Sequence, residues 1–219
     1  MQLMILTKKE NTHLNQFLTS LFSAIAININ HLQYEYLSKN ELNHLNKTLR
    51  SEDDLNHDFY TSQHGENLEC LLFFLDKHRD IIIALMRENA SNQTLTCLYT
   101  SYTISGSYDC FRFDLSKFPQ TYIPKNQVIT LYRVGRCSES ASNLGCSWAS
   151  SIEGLNTYCD RSALSKDVLK SRPIFIATID DSQVLFEGDS SETELVLKHD
   201  FTLKNLSLAD EEVRKKIGR

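Results

Sequence analysis

Two carboxylates one residue apart, Glu192 and Glu194, stand in the stretch Phe186 to Phe201, FEGDSSETELVLKHDF, where a polar turn gives way to an apolar run. Asp189, Ser190 and Ser191 are turn formers, while Leu195, Val196 and Leu197 favour a buried strand, so the acids are expected at a strand mouth. In an extended chain residues i and i+2 share a face, which directs both carboxylates at whatever lies above the turn. Like charges so placed raise the pKa of one partner, the condition for a base that works near neutral pH. The plainer alternative is a solvated strand end with two surface acids, and Glu187, ahead of the turn, is a weaker competitor to Glu192 for the role of base.

Upstream, Gln127 to Arg136 (QVITLYRVGR) reads as a strand with Arg133 near its end, and Gly145 to Ser150 (GCSWAS) follows with Ser147 and the only Trp, Trp148. The order is therefore Arg, Ser, then Glu-x-Glu running into Leu-Val-Leu. Over roughly Val128 to Leu203 that order resembles the Arg-Ser-Glu class of mono-ADP-ribosyltransferases. The resemblance implies an α+β fold, with an N-terminal helical part packed on a split mixed β-sandwich, and NAD as co-substrate with no metal. It implies that Glu194 stabilises the oxocarbenium-like sugar and that Glu192 orients or deprotonates the acceptor. Arg133 would hold the pyrophosphate through its forked donors, with Arg136 three residues on as the other choice, and Ser147 would shape the pocket. Trp148 stands where Ser-Thr-Ser is commoner in the family, and either stacks on the cofactor or fills the core.

The acceptor implied is a nitrogen on a macromolecule, protein or RNA. A site of this kind is expected in an intracellular toxin or anti-phage effector restrained by an antitoxin-like inhibitor protein. An NAD glycohydrolase toxin is one alternative and a non-catalytic partner-binding module another. The glycohydrolases of the RES type place the acid before the serine, unlike Ser147 before Glu194.

Composition bounds these readings. The 219 residues include 41% apolar and 23% charged positions, the balance of a globular chain, and the formal charge of −5 argues against a broad grip on nucleic acid. A local basic rim of Arg133, Arg136, Arg161, Lys166, Lys170 and Arg172 remains compatible with a single strand. The six cysteines form no Cys-x-x-Cys pair and the histidines no His-x-x-x-His, so neither zinc nor a disulfide scaffold is expected. Reduced thiols fit a cytoplasmic setting. Lys8-Lys9 before Phe17 to Ile27 imitates a secretion signal, but polar residues interrupt that run, and no stretch reaches the ~20 apolar residues that span a bilayer.

The elements that must position the site divide near residue 125, with 1–125 as a helical part containing a β-hairpin and 126–219 as the catalytic part. Leu14, Phe17, Leu18, Leu21, Phe22 and Ile25 predict one amphipathic helix over Asn11 to Ile29. Ser38-x-x-Glu41 predicts a capping box opening a helix to Arg50. Ser51 to Glu66 reads as a loop and Asn67 to Arg87 as one long helix. Thr94 to Ser105 and Ser107 to Leu115, rich in Tyr, Thr, Ile and Phe, predict the hairpin. Strands are predicted at Pro173 to Asp180 and Gln183 to Phe186, short helices at Ser150 to Tyr158 and Asp210 to Lys216, and a polar excursion between Asp160 and Arg172.

Overall fold

Side chains that satisfy the first amide groups mark where four helices of the first part begin. Asn15 accepts from the Leu18 amide and opens α1 (Gln16–Ala24). Ser38 and Glu41 close the predicted capping box at the start of α3 (Lys39–Thr48). Asn28 caps α2 (Ile29–His31), which runs on as a π-helical turn through Tyr36. Ser51 caps a short α4 (Glu52–Asn56) inside the segment expected to be a loop, with three acids in its first turn to complement the helix dipole. These contacts belong to a computed structural model, which describes residues 13–88, 92–101, 111–162 and 165–217.

The described residues form two compact units: those within 1–94 and 110–114, and those within 95–109 and 115–219. Their fold is mixed α+β, with ten α-helical segments and one six-stranded sheet among the described residues. In the first unit α1 packs on α6 (Arg79–Met86), which α5 (Glu66–Lys77) precedes. Leu18, Leu21, Phe22, Leu45, Leu71, Leu72 and Phe74 are fully buried there. The expected single helix over 67–87 is thus two, with His78 leaving helical geometry at φ −108 and ψ 17. The run Asp76-Lys77-His78-Arg79-Asp80 offers no apolar side chain to bury, so packing does not hold the helix straight across it.

The second correction concerns the hairpin. Asn92–Tyr99 is a helix, α7, in place of the first predicted strand. Leu95, Leu98 and Tyr99 recur at helical spacing and Leu98 is fully buried, so tertiary burial overrides the β preference of Thr and Tyr. The end of the first strand, the turn and the first part of the second, 102–110, lie outside the described residues, and 111–115 form no strand beyond an isolated bridge of Phe113 to Ile27.

The sheet carries the second unit in the order β4-β5-β2-β1-β3-β6: β1 is Val128–Val134, β2 Ser147–Ala149, β3 Ile174–Asp180, β4 Val184–Glu187, β5 Glu194–Leu197 and β6 Asn205–Leu208. Every pairing is antiparallel, so the mixed sheet expected from the resemblance is corrected: each strand's neighbours run against it. β1 and β3 pair along their full length, from Val128↔Asp180 to Val134↔Ile174, whereas β1 meets β2 only at Tyr132↔Ala149. The sheet is therefore two three-stranded halves, β4-β5-β2 and β1-β3-β6, hinged at one residue pair.

Alternation along the strands builds a core on each face. Leu131, Trp148, Phe175, Ala177, Ile179, Val184, Leu195 and Leu197 form one. Val134, Ala149 and Ile174 form the other with Leu155 and Cys159 of α8 (Ile152–Arg161), Leu169 of α9 (Lys166–Ser171) and Ile217 after α10 (Glu211–Lys216). The buried Asp181 carboxylate accepts from the Lys125 amide at 2.6 Å and the Gln127 amide at 3.3 Å, fixing the chain as it enters β1.

Candidate active site

β2 lies between β1 and β5, so the sheet brings the Arg, Ser and Glu-x-Glu segments together although they are separated by up to sixty residues. The register sets Ser147 opposite Val196 and Ala149 opposite Glu194. Ser147 and Glu194 thus project from the same face of two adjacent strands, and the Ser147 hydroxyl donates to Glu194 Oε1. The other oxygen, Oε2, accepts the Asp189 amide at 2.9 Å. Gly188 completes this cradle. A Cβ there would lie 2.8 Å from Glu194 Cγ and overlap the carboxylate, so the side chain lies across bare backbone. The acid is held at both oxygens and along its stem.

Glu192 reaches the site by a route that differs from the expected one. It ends a 3-10 turn, Ser190–Glu192, and Thr193 lies in the left-handed region at φ 47 and ψ 39 before β5 begins. Strand alternation therefore does not pair the acids; the turn folds them together. For a β-branched residue that conformation is costly, of order 1–3 kcal/mol. Its surroundings hold it: Thr193 O accepts from the Ser150 amide at 2.9 Å and hydroxyl at 3.0 Å, and Thr193 Oγ1 lies 3.0 Å from Ser151 Oγ. α8 presses on the same turn through Gly154, and Arg161 donates to Ser191 Oγ and lies 3.8 Å from Asp189.

The half-buried Glu192 carboxyl is pushed up to about 7, first by burial and then by Glu194 and Asp189, with Arg161 opposing. Near neutral pH it is divided between acid and base. On α8, the Tyr158 hydroxyl is raised by burial and senses both Arg133 and Glu192. Tyr99, at the end of α7, packs edge-on against Phe118 and Phe186 at 5.9 and 5.3 Å. Burial pushes its hydroxyl well up, and the next cause is Glu194. Both tyrosines border the acids, and neither was singled out by sequence because nothing local marks a residue that α7 or α8 brings in.

Arg133 sits beside the pair with its guanidinium engaged. Nη1 donates to the Ser147 carbonyl at 2.6 Å, while Nε donates to Glu139 Oε1 at 2.9 Å and Nη2 to Glu139 Oε2 at 3.4 Å. The Nε–Nη2 edge, which a phosphate would clasp, is taken by a carboxylate of the chain itself. Arg136 is exposed on the loop that follows. Trp148 is 1% exposed, its ring in the core and its indole N–H donating to Gly145 O at 2.8 Å. The core-filling alternative is the one it occupies.

A separate cleft of 410 Å³ is lined by Tyr122, Ile129, Tyr132, Ser150, Glu187 and Leu195 among others. Neither Glu192 nor Glu194 lines it. Cys146 is pushed up to about 11, first by burial, so its thiol stays protonated at neutral pH. Among the described residues no disulfide forms and no group of three or more His, Cys, Asp or Glu is placed to hold a metal. None of the described helices is long and apolar enough to cross a membrane. Comparison with protein-family models, with curated proteins and with solved structures finds no match to this chain.

Proposed function

We propose that the chain is a mono-ADP-ribosyltransferase that moves ADP-ribose from NAD to a nitrogen on a macromolecular acceptor, protein or RNA. The observation that carries this reading is the Ser147 hydroxyl bonded across the β2–β5 pair to Glu194, with Glu192 folded beside it. The division of the sheet into two halves hinged at Tyr132↔Ala149 supports it, since a split β core is what the resemblance implies.

In the reaction the bond between the nicotinamide nitrogen and the ribose carbon breaks, nicotinamide leaves with the electron pair, and positive charge spreads over the sugar. Glu194, fixed at both oxygens, meets that charge without having to reorganise, which is the source of its effect. Glu192, titrating about 7, takes the proton that the acceptor nitrogen releases as it bonds to the ribose carbon. Arg133 acts here through the Ser147 strand, and the exposed Arg136, the other choice the resemblance allowed, would meet the pyrophosphate.

The biological reading is an intracellular toxin or anti-phage effector held in check by an antitoxin-like inhibitor that covers the Glu192–Glu194 mouth. Incubating the protein with labelled NAD and separate pools of cellular protein, RNA and DNA tests the chemistry. Label moving onto one pool supports transfer and names the acceptor class. NAD consumed with no labelled pool supports the glycohydrolase, and intact NAD leaves a partner-binding module. Expression in a host cell tests the setting: growth should stop with the wild type and continue with Glu194→Gln.

A further inference from the structure

A carboxylate that the resemblance does not mention is among the most fully satisfied groups in the molecule. Glu139 has 4% of its side chain exposed, and four donors converge on it: Arg133 Nε and Nη2, the Arg136 amide at 2.7 Å and the Gly145 amide. Each end of this cluster continues into the site. Through Arg133 it reaches the Ser147 carbonyl at 2.6 Å, and Ser147 donates to Glu194. Through Gly145 it reaches Trp148, whose indole holds the Gly145 carbonyl at 2.8 Å. Gly145 also underlies the guanidinium so closely that a Cβ would lie 2.6 Å from Arg133 Cζ. Burial raises the Glu139 carboxyl, but the Arg133 charge and the hydrogen bonds from Arg133, Gly145 and Arg136 outweigh it and hold the group below the usual range.

We propose that Glu139 is a positioning residue of the active site: it clamps Arg133 and the loop from Arg136 to Gly145 so that β2 presents Ser147 to Glu194. This rests on the reading of Ser147 and Glu194 as catalytic machinery. It gives Arg133 a different task from holding phosphate, because a guanidinium already bonded to Glu139 and to the Ser147 carbonyl has its best-matched edge occupied. A buried carboxylate that lost its partner would be left unpaired, so the two residues act as a unit.

Glu139→Gln keeps the shape and removes the charge, and Gly145→Ala disturbs the same clamp from beneath the guanidinium while leaving Glu139 in place. If Glu139 positions the site, each folded variant loses about 10- to 100-fold in kcat for NAD turnover, with KM for NAD within about twofold. Combining Glu139→Gln with Arg133→Lys should add little to either single loss, since one clamp is broken in both. Acrylamide quenching of Trp148, the only Trp, should rise in Glu139→Gln and in Gly145→Ala. A lower melting temperature with unchanged kcat would mean that Glu139 serves the fold alone and would overturn the proposal. So would a raised KM at constant kcat, which would return Arg133 to the cofactor. Wild-type protein that leaves NAD intact overturns the reading of the site, and the quenching then decides the clamp by itself: unchanged quenching in both variants refutes it.

Discussion

Replacing Glu192 by Gln should make the protein more stable at alkaline pH than at acid pH relative to wild type, and should separate transfer from hydrolysis. The folded carboxyl titrates about 7 against 4.5 for a free side chain, raised by burial and then by Glu194 and Asp189. Between those two values the unfolded chain has released its proton while the folded protein keeps it, so the folded state binds more protons and stability falls as pH rises. Below about 4.5 both forms are protonated and above about 7 both are ionised, so the loss develops across that window and is complete above it. A shift from 4.5 to about 7 corresponds to at most about 3.4 kcal/mol, and screening at a half-buried group reduces this to about 1–2 kcal/mol. Thermal melts of wild type and Glu192→Gln at about pH 4 and about pH 8.5 read it directly, with the variant gaining about 2–4 °C per kcal/mol only at the higher value. In the same pair of proteins, transfer to acceptor should rise through pH 7 in the wild type, because the base form is required, and should lose that rise in the variant. NAD hydrolysis should change far less. Parallel melting curves at both pH values would refute the electrostatic account, and equal loss of transfer and hydrolysis would refute the division of labour between the acids.

Other substitutions probe the scaffold. Gly188→Ala places a methyl group where the Glu194 carboxylate lies, so NAD turnover should fall about 10²- to 10³-fold in a folded protein; turnover within about threefold of wild type would refute the cradle. Gly154→Ala would ordinarily stabilise a helix by about 0.5–1 kcal/mol, but its Cβ would stand 2.6 Å from the Glu192 carbonyl carbon. A lowered melting temperature is therefore expected, and a raised one would contradict the packing of α8 on the turn. Arg133→Lys keeps a charge but lacks the planar fork that grips both Glu139 oxygens and the Ser147 carbonyl, so kcat should fall while the dissociation constant for NAD, read by titration, stays near wild type. If that constant rises instead, Arg133 binds the cofactor after all.

Local signals in the sequence were the ones that proved legible. Ser38 and Glu41 form the expected capping box because both partners lie within one helical turn. β1, β3, β4 and β5 fall close to where short strand-favouring runs beside turn residues placed them. Glu192 and Glu194 do adjoin one another, but the left-handed Thr193 that folds them together could not be foreseen from i and i+2 spacing. β6 escaped notice because Asn205–Leu208 is a short, largely exposed edge strand with no buried stripe. α7 was misread because Thr, Cys and Tyr favour strands until Leu98 is buried. Glu139 carried no signal at all: its role comes from a loop that returns Gly145 to it, and loop closure leaves no periodicity behind.

The central claim is that Glu194 meets a developing cation on the ribose of NAD. Release of nicotinamide by wild type and by Glu194→Gln, with folding of both checked by circular dichroism, tests it most directly. The account predicts release by the wild type and a rate lower by about 10²- to 10³-fold in the variant. A folded Glu194→Gln protein that releases nicotinamide within about threefold of the wild-type rate, or a wild type that releases none, would contradict it.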